Sequence, residues 1–250
     1  MPSTKRLIVN ADDFGQSEGI NDGVVEAFER GVVTSASLMV RWPAAAEAAR
    51  YARTHPGLSM GLHLDLGEWT YRQNQWISSY EVVRKDDHAA VAEEISRQFS
   101  TFNELMGRNP THIDSHQHVH RAESVCSILR KIAHEIGAPL RLYSDIRYCG
   151  AFYGQTSTGK PLSDNITLEA LIKLLTNLEP GITELGCHPA KRIDFDTTYS
   201  HERIMELQVL CDSRVPEFLA ENDIDLRSFA TIWNLRSTRH IGSHPDSTMK

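Results

Sequence analysis

Carboxylate and imidazole side chains stand at three separate apolar runs of the sequence. Asp12 and Asp13 end one run, His63 alternates with leucines in a second, and His188 ends a third. Carboxylates and imidazoles are the groups that hold divalent cations and transfer protons in enzymes. Their placement therefore predicts metal-assisted acid-base chemistry.

Each of these residues also has an ordinary structural interpretation. Two adjacent Asp at a strand end repel one another unless a cation stabilises the pair, but Asp12 and Asp13 could equally be a helix cap and its solvated neighbour. A single His in a strand, such as His63, is more often a satisfied core residue than a ligand. The functional interpretation therefore depends on further ligand candidates in the same chain.

The segment ThrHisIleAspSerHisGlnHisVal supplies those candidates. His112, Asp114, His116 and His118 stand at alternate positions, so a strand through this segment would project all four to one side. Four ionisable side chains on one strand face need a metal or a wet cleft, because burial would otherwise remove their hydration. One Asp and two His with open positions suit Zn²⁺ or a borderline divalent ion.

The elements that must position these residues alternate between strands and helices. Apolar runs predict strands at 7–10, 32–40, 58–66, 111–118, 140–143, 182–187 and 226–232. Helical periodicity predicts helices near 20–31, 43–54, 87–106, 124–136, 167–178 and 201–221. Residues 67–86 show neither period, and we expect them to be irregular.

This rhythm of about seven strands predicts an α/β fold with a mostly parallel sheet, either closed as a TIM-like (β/α) barrel or open and doubly wound. We favour an incomplete or distorted barrel, whose active site collects at the carboxyl ends of the strands. Residues 1–236 are predicted to form a single catalytic domain, and residues 237–250 a mobile C-terminal tail.

Composition excludes several other classes of protein. The net charge of -7 without a run of Lys or Arg disfavours nucleic acid as a partner. No stretch approaches the roughly 20 apolar residues of a membrane span, and the first apolar run is too short for a secretory signal, so we expect a cytoplasmic protein. The cysteines are far apart, which indicates neither disulfides nor a thiolate zinc site; they are Cys126, Cys149, Cys187 and Cys211.

These motifs resemble the YdjC-like carbohydrate deacetylase family, whose characterised activity is on chitooligosaccharides. The resemblance covers nearly the whole chain, and its longest motifs are AsnAlaAspAspPheGlyGlnSerGluGlyIleAsn (10–21) and ProThrHisIleAspSerHisGlnHisValHis (110–120). It continues through segments 31–39, 61–66 and 187–190. Ala190 departs from the pattern, since the family more often has Gly after HisPro.

The resemblance implies a role for each of the chemical residues. Asp13, His63 and His116 would be the metal ligands, Asp12 the general base and His188 the partner acid. The family ion is usually given as Mg²⁺, whereas two His ligands favour a softer ion such as Zn²⁺, so the identity of the one divalent ion stays open. Related proteins suggest a homodimer.

We therefore expect a metal-dependent hydrolase that removes the acetyl group from an N-acetylated sugar, a chitooligosaccharide or a related substrate. We assign His118, His120 and Arg147 to substrate binding. For the two histidines the alternative is a role in supporting the metal ligands. Aromatic residues suit either stacking on sugar faces or ordinary loop packing; they are Trp69, Tyr71, Trp76 and Tyr148.

Two other functions fit the same residues. Another metal-dependent hydrolase on the same scaffold, a phosphoesterase or an amidohydrolase, is one, because a fold does not fix a reaction. A sugar-binding or metal-binding module without turnover is the other. Loss of turnover with retention of metal on replacement of Asp12 would favour an enzyme.

Overall fold

The structure is a computed structural model, and it describes residues 4–232. The tail predicted for residues 237–250 lies outside the described residues, as do the last residues of the predicted domain, 233–236. The extent of the domain therefore stays a prediction. Within residues 4–232, no helix is long and apolar enough to cross a membrane.

Strands and helices alternate along the described chain. The strands are β1 (Lys5–Phe14), β2 (Ser35–Leu38), β3 (Ser59–Leu64), β4 (Gly67–Arg72), β5 (Gln75–Glu81), β6 (Ile113–Ser115), β7 (Arg147–Cys149), β8 (Gly181–Cys187) and β9 (Ile224–Leu226). The helices are α1 (Glu18–Arg30), α2 (Ala45–Thr54), α3 (His88–Met106), α4 (Glu123–Ile136), α5 (Leu168–Thr176), α6 (His201–Leu210) and α7 (Arg214–Glu221). Short 3₁₀ helices cover His116–Arg121 and Ser163–Ile166.

The main sheet is parallel throughout and curls into a partial barrel. Its strand order is β6-β3-β2-β1-β8-β7, and β9 pairs with the start of β1. In the described chain β6 and β7 end this path and do not pair with each other, so the barrel is open between them. The prediction of an α/β fold with an incomplete barrel of about seven mostly parallel strands is confirmed.

The alternation of side chains along β1 explains how polar groups reach the interior. Leu7 and Val9 belong to the main apolar core, which lies between the sheet and the surrounding helices. Ile8 points the other way and packs in a second, smaller apolar cluster. Asn10 and Asp12 follow Ile8 on that interior side, because successive strand residues face opposite sides of a sheet.

Helix α1 shows why the chain turns back after β1. The Ser17 side chain caps the helix by accepting a hydrogen bond from the backbone N–H of Ile20. Ile20, Val24 and Ala27 are buried and recur three or four residues apart, so they form one apolar stripe against the sheet. The predicted first strand and first helix are confirmed.

The prediction that residues 67–86 are irregular is wrong. Strands β4 and β5 form an antiparallel hairpin there, outside the main sheet. Gln73 and Asn74 make the two-residue turn with φ of 52° and 61°, as tight hairpin turns require. Most of β5 is exposed on both faces, so the sequence shows little apolar-polar alternation.

The strand predicted for residues 111–118 is shorter than expected. Strand β6 ends at Ser115, and the chain then turns with φ of 48° at Gln117 and 53° at His118. His112 and Asp114 do share one side of the strand, where both contact Ser37. The turn ends the alternation of side chains, so His118 does not follow His112 and Asp114 on the same side of the strand.

Three further boundaries differ from the prediction. Only Leu140 of the predicted strand 140–143 forms a bridge, because Leu142 has φ of 68°; the strand in this region is β7. The strand predicted at 226–232 ends at Leu226. The helix predicted over 201–221 is two helices, α6 and α7. Pro216 lies in the first turn of α7, where its missing N–H needs no partner, whereas it would disrupt the interior of one long helix.

Candidate active site

The chemically interesting residues meet at the carboxyl ends of the strands. Asp12 and Asp13 lie near the end of β1, His63 lies in β3, and His116 and His188 directly follow β6 and β8. All five line one cavity of about 1000 Å³. The structure therefore brings together all the residues predicted from the sequence to hold a metal or to transfer protons.

Asp13, His63 and His116 form a candidate metal centre. One oxygen of Asp13, Oδ1, lies 3.2 Å from His63 Nε2 and 3.0 Å from His116 Nδ1. Ligand atoms that share one ion lie roughly 3.0 to 3.4 Å apart when each metal bond is about 2.1 Å. The other nitrogen of His63 is 2.7 Å from Asp114 Oδ1, a carboxylate contact that is typical of metal-bound histidine. These residues fit a divalent ion.

The electrostatics of this centre also suit a cation. Burial alone would lower the pKa of His63, but the charge of Asp114 and hydrogen bonds to carboxylates raise it to about 10. Burial likewise opposes the charged form of His116, and Asp13 raises the pKa of His116 to about 9. The carboxylates thus attract positive charge to this position, and an ion would replace protons there.

A second group of possible ligands overlaps the first. Asp12, His63 and Asp114 also have ligand atoms within 4.8 Å of one another. Both carboxylates of this group bind Arg141, whose guanidinium would repel a cation at close range. We therefore place the candidate metal centre at Asp13, His63 and His116.

Arg203 binds the remaining oxygen of Asp13. Its Nη2 lies 2.6 Å from Asp13 Oδ2, which leaves Oδ1 to face the two histidines. Burial by itself would raise the pKa of Asp13, but Arg203 and His116 hold it well below the usual value. Sequence reasoning missed Arg203, which belongs to α6 and has no motif around it.

Asp12 is held by a buried arginine. Arg141 donates to both carboxylate oxygens of Asp12 at 2.7 Å, and its Nη2 also lies 2.7 Å from Asp114 Oδ2. Burial alone would raise the pKa of Asp12, but the charge and hydrogen bonds of Arg141 leave it below the usual value. Asp12 is therefore ionised at neutral pH.

Glu184 is a third carboxylate on the same guanidinium. Its Oε1 accepts hydrogen bonds from Arg141 Nε at 2.8 Å and Nη2 at 2.6 Å. Burial raises the pKa of Glu184 to about 7, opposed by the charge of Arg141 and assisted by the charge of Asp114. Sequence reasoning missed both Arg141 and Glu184, although a charged residue inside an apolar run was a usable signal.

His188 lies between the carboxylates of Asp12 and Glu206. Its Nε2 is 3.8 Å from Asp12 Oδ2, and its Nδ1 is 3.8 Å from Glu206 Oε1. Glu206 also accepts hydrogen bonds from the backbone N–H of His188 and from the Tyr199 hydroxyl. The imidazole is thus placed between a candidate base and a buried carboxylate.

The residues predicted to bind substrate occupy three different environments. His118 lines the cavity, and its ring centroid is 5.2 Å from that of Tyr148. His120 is buried, with Nδ1 2.6 Å from Ser115 Oγ. Arg147 is partly exposed and donates to backbone carbonyls of residues 179 and 180. His120 and Arg147 do not line this cavity, so we do not include them in the candidate active site.

The aromatic residues considered for sugar stacking all reach the cavity. Trp69, Tyr71, Trp76 and Tyr148 line it. Tyr148 also covers the Arg141 guanidinium, whose central carbon lies 4.6 Å from the ring centroid. The hairpin therefore contributes three aromatic side chains to the wall of the candidate site.

Ala190 is accommodated by close packing of its loop against α1. The residue is fully buried, and a Cβ added to Gly23 would lie only 2.5 Å from Ala190 Cα. The backbone N–H of Ala190 also donates to the carbonyl of Arg203 at 3.2 Å. The departure from the family pattern at this position thus leaves the loop beside His188 well supported.

Comparison with known proteins decides the family. A sequence model described as YdjC-like protein matches residues 6–221, which is most of the chain. The chain belongs to the YdjC-like family. The family predicted from the motifs is therefore confirmed.

YdjC-like relatives carry names that agree with the predicted enzyme class. A carbohydrate deacetylase of Geobacillus stearothermophilus is 34% identical over 258 residues, which cover 91% of this chain and 98% of the relative. A chitooligosaccharide deacetylase of Serratia marcescens is 34% identical over 261 residues, which cover 90% of this chain and 98% of the relative. Both names give the predicted class, a carbohydrate deacetylase.

Solved structures support the fold of this YdjC-like protein. A proposed cellobiose-phosphate cleavage protein from Enterococcus faecalis V583 superposes with a TM-score of 0.72 at 27% identity, covering 92% of this chain and 99% of that chain. A family 4 carbohydrate esterase from Streptomyces lividans, in complex with acetate, gives a TM-score of 0.53 at 14% identity, covering 90% and 92%. The second likeness concerns the fold alone.

Proposed function

We propose that this protein is a metal-dependent carbohydrate deacetylase that hydrolyses the acetamide of an N-acetylated amino sugar, in a chitooligosaccharide or a related substrate. The observation that carries the proposal is the convergence of Asp13, His63 and His116 within 4.8 Å of one another in the main cavity. Asp12 and His188 line the same cavity. The names of the two YdjC-like relatives support the substrate class.

Hydrolysis of an acetamide needs an activated water, a counter-charge for the tetrahedral oxyanion and a proton for the departing amine. A divalent cation held by Asp13, His63 and His116 would polarise the acetyl carbonyl and acidify a water molecule. The ligand set of one carboxylate and two imidazoles suits Zn²⁺ by its chemistry, and Mg²⁺ remains the alternative.

Asp12 is proposed to take the proton from the attacking water at Oδ2. Its Oδ1 already accepts hydrogen bonds from Asn10 at 2.8 Å and from Arg141 at 2.7 Å. Oδ2 accepts a hydrogen bond from Arg141 but not from Asn10, and this oxygen lies 3.8 Å from His188 Nε2. A carboxylate oxygen has lone pairs for a second donor, so Oδ2 can accept from water while Arg141 stays bound.

His188 is proposed to deliver a proton from Nε2 to the leaving nitrogen. Nε2 and Asp12 Oδ2 are 3.8 Å apart, so the acid and the base flank the same part of the cavity without bonding directly. Glu206 faces Nδ1 and would hold the imidazole in the orientation that directs Nε2 to the substrate.

The experiment that tests the proposal compares two products. Acetate release from N-acetylglucosamine and its oligomers is measured beside phosphate release from sugar phosphates and aryl phosphates, with Mg²⁺ and Zn²⁺ supplied separately. We expect acetate and no phosphate. An Asp12→Asn variant should lower acetate release by about 100-fold or more, and Asp164→Asn, a change at an exposed acid, is the matched control. Phosphate release that depends on Asp12 would establish the phosphoesterase instead.

A further inference from the structure

One face of the β4–β5 hairpin presents an exposed aromatic surface. Tyr71 and Trp76 are direct cross-strand partners with ring centroids 5.5 Å apart. Trp69 lies two residues before Tyr71 on the same face of β4, where it is partly buried and Lys85 Nζ lies 3.7 Å from its ring centroid. Trp76 is 58% exposed, the largest fraction among the large apolar side chains of the described chain. Grouped aromatic side chains on a surface mark a binding site more often than isolated ones do. We call these three residues the aromatic platform.

The aromatic platform is continuous with the candidate active site. Tyr71 and Trp76 line the same cavity of about 1000 Å³ as Asp13 and His116. At the base of the hairpin, Glu68 Oε2 lies 3.7 Å from His116 Nε2. Pockets for drug-sized ligands range from about 300 to 1,000 Å³, so this cavity is large for a single sugar unit.

Hydrogen bonds fix the hairpin beside the site. Asp65 accepts one from the Tyr80 hydroxyl at 2.9 Å and one from the Gly67 backbone N–H at 3.1 Å. Gln117, next to His116 in sequence, binds both backbone groups of Trp69, the N–H at 3.0 Å and the carbonyl at 2.9 Å. Because both strands are hydrogen-bonded near the base of the hairpin, the hairpin is held beside the candidate metal centre.

The chemistry of the platform selects one class of ligand. Tyr71 and Trp76 are uncharged, amphipathic rings that can cover apolar surface while polar groups nearby remain in water. A pyranose ring has an apolar face of C–H groups and a polar rim of hydroxyls, so it matches such a surface. The platform and the acidic centre line one cavity, so a sugar bound at the platform would neighbour the sugar that reacts.

We propose that the aromatic platform is a second sugar subsite, which binds the unit adjacent to the one that loses its acetyl group. This inference rests on the proposed function, because it names the reacting sugar as the occupant of the neighbouring position. It follows that an oligosaccharide is a better substrate than a monosaccharide. Binding energy from the second sugar contributes to kcat/KM of the longer substrate alone.

The test measures kcat/KM for N-acetylglucosamine and for its β-1,4-linked trimer with Trp76→Ala and Tyr71→Ala variants. Each loss of a stacking ring should lower kcat/KM for the trimer about 10-fold and leave the monosaccharide within about twofold. Ile77→Ala is the matched control, because Ile77 lies on the same exposed strand but does not line the cavity. All three side chains are at least partly exposed, so the core is preserved.

Binding of the trimer by calorimetry, in an Asp12→Asn background that prevents turnover, separates this inference from the proposed function. Weaker trimer binding in the Trp76 variant, without acetate release from any sugar by the parent protein, would uphold the subsite and remove the deacetylase. Acetate release with trimer affinity and kcat/KM unchanged in both variants would overturn the subsite and leave the deacetylase. Equal losses for the monosaccharide and the trimer would also overturn the subsite.

Discussion

Arg141 donates one hydrogen bond to each carboxylate oxygen of Asp12, and both bonds are 2.7 Å long. Both side chains are buried, so neither charge can turn to water if the other is removed. The pair therefore has two consequences: it keeps the proposed base ionised, and it makes the barrel interior sensitive to loss of either partner.

Replacement of Arg141 by Lys tests whether Asp12 needs only a positive charge beside it or also a bidentate hydrogen-bond donor. A lysine keeps the positive charge but cannot bind two carboxylate oxygens in parallel, so we expect kcat to fall roughly 10- to 100-fold. Arg141→Ala should also lower the free energy of unfolding by about 3 to 5 kcal/mol. Steady-state kinetics and urea unfolding measure the two effects.

Arg147→Lys is the matched control for the Arg141 variant. Arg147 is partly exposed and lies outside the cavity, so we expect unchanged kcat and KM. A raised KM in this variant would instead support the role in substrate binding that was predicted from the sequence. A fully active Arg141→Lys protein would show that Asp12 needs no bidentate partner.

Asp12→Asn should cut turnover by about 100-fold or more and leave metal affinity nearly unchanged. The amide keeps the shape of the side chain but cannot accept a proton from water. Turnover by acetate assay and metal content by elemental analysis check the two halves of this prediction. Turnover at the parent rate would remove Asp12 from the reaction.

Replacement of two nearby histidines should affect metal binding differently. His116→Ala should reduce metal content several-fold, because His116 Nδ1 faces the same Asp13 oxygen as His63. His118→Ala should keep the metal, since the His118 ring packs against Tyr148. Loss of the ion from the His118 variant, with retention in the His116 variant, would mean that this motif is assigned in the wrong register.

The sequence could predict which carboxylates and imidazoles meet, because position along a parallel strand determines the edge that a side chain reaches. Asp13 and His63 stand at such positions, and they lie together in the structure. His116 also reaches them, although β6 ends at Ser115, three residues before the predicted end of the strand. The fold and these neighbours follow from periodic features of the chain.

Contacts between distant, non-periodic segments could not be predicted in the same way. Arg141 and Asp12 are 129 residues apart, and Arg203 and Asp13 are 190 residues apart. Nothing in a single sequence specifies such pairs, because each arginine lies outside the strand-end motifs. The hairpin was missed for a related reason: its exposed aromatic face has no apolar-polar contrast to reveal a strand.

His112 should make the fold sensitive to mild acid. Burial is the main cause that lowers the pKa of His112 from its usual 6.5 to about 3, against the opposing charge of Asp114. Between these two values the unfolded chain binds a proton that the folded chain does not, so stability rises with pH. The contribution is complete above pH 6.5 and is lost as the pH falls towards 3.

A His112→Gln variant measures this contribution. Its free energy of unfolding should fall less steeply with acid than that of the parent, by up to about 1.4 kcal/mol per pH unit between pH 6 and 5. Urea unfolding in the presence of a chelator keeps metal binding out of the comparison. Parallel curves for the two proteins would show that His112 is not held neutral in the fold.

Hydrolysis of an acetamide must release acetate and a free amine together, so both are measured with the N-acetylglucosamine trimer as substrate. We expect equal amounts of the two products, loss of both on chelation of divalent metal, and recovery when Zn²⁺ or Mg²⁺ is restored. Absence of acetate from every acetylated sugar at full metal occupancy, or release that survives replacement of both His63 and His116, would mean that this protein is not a metal-dependent deacetylase.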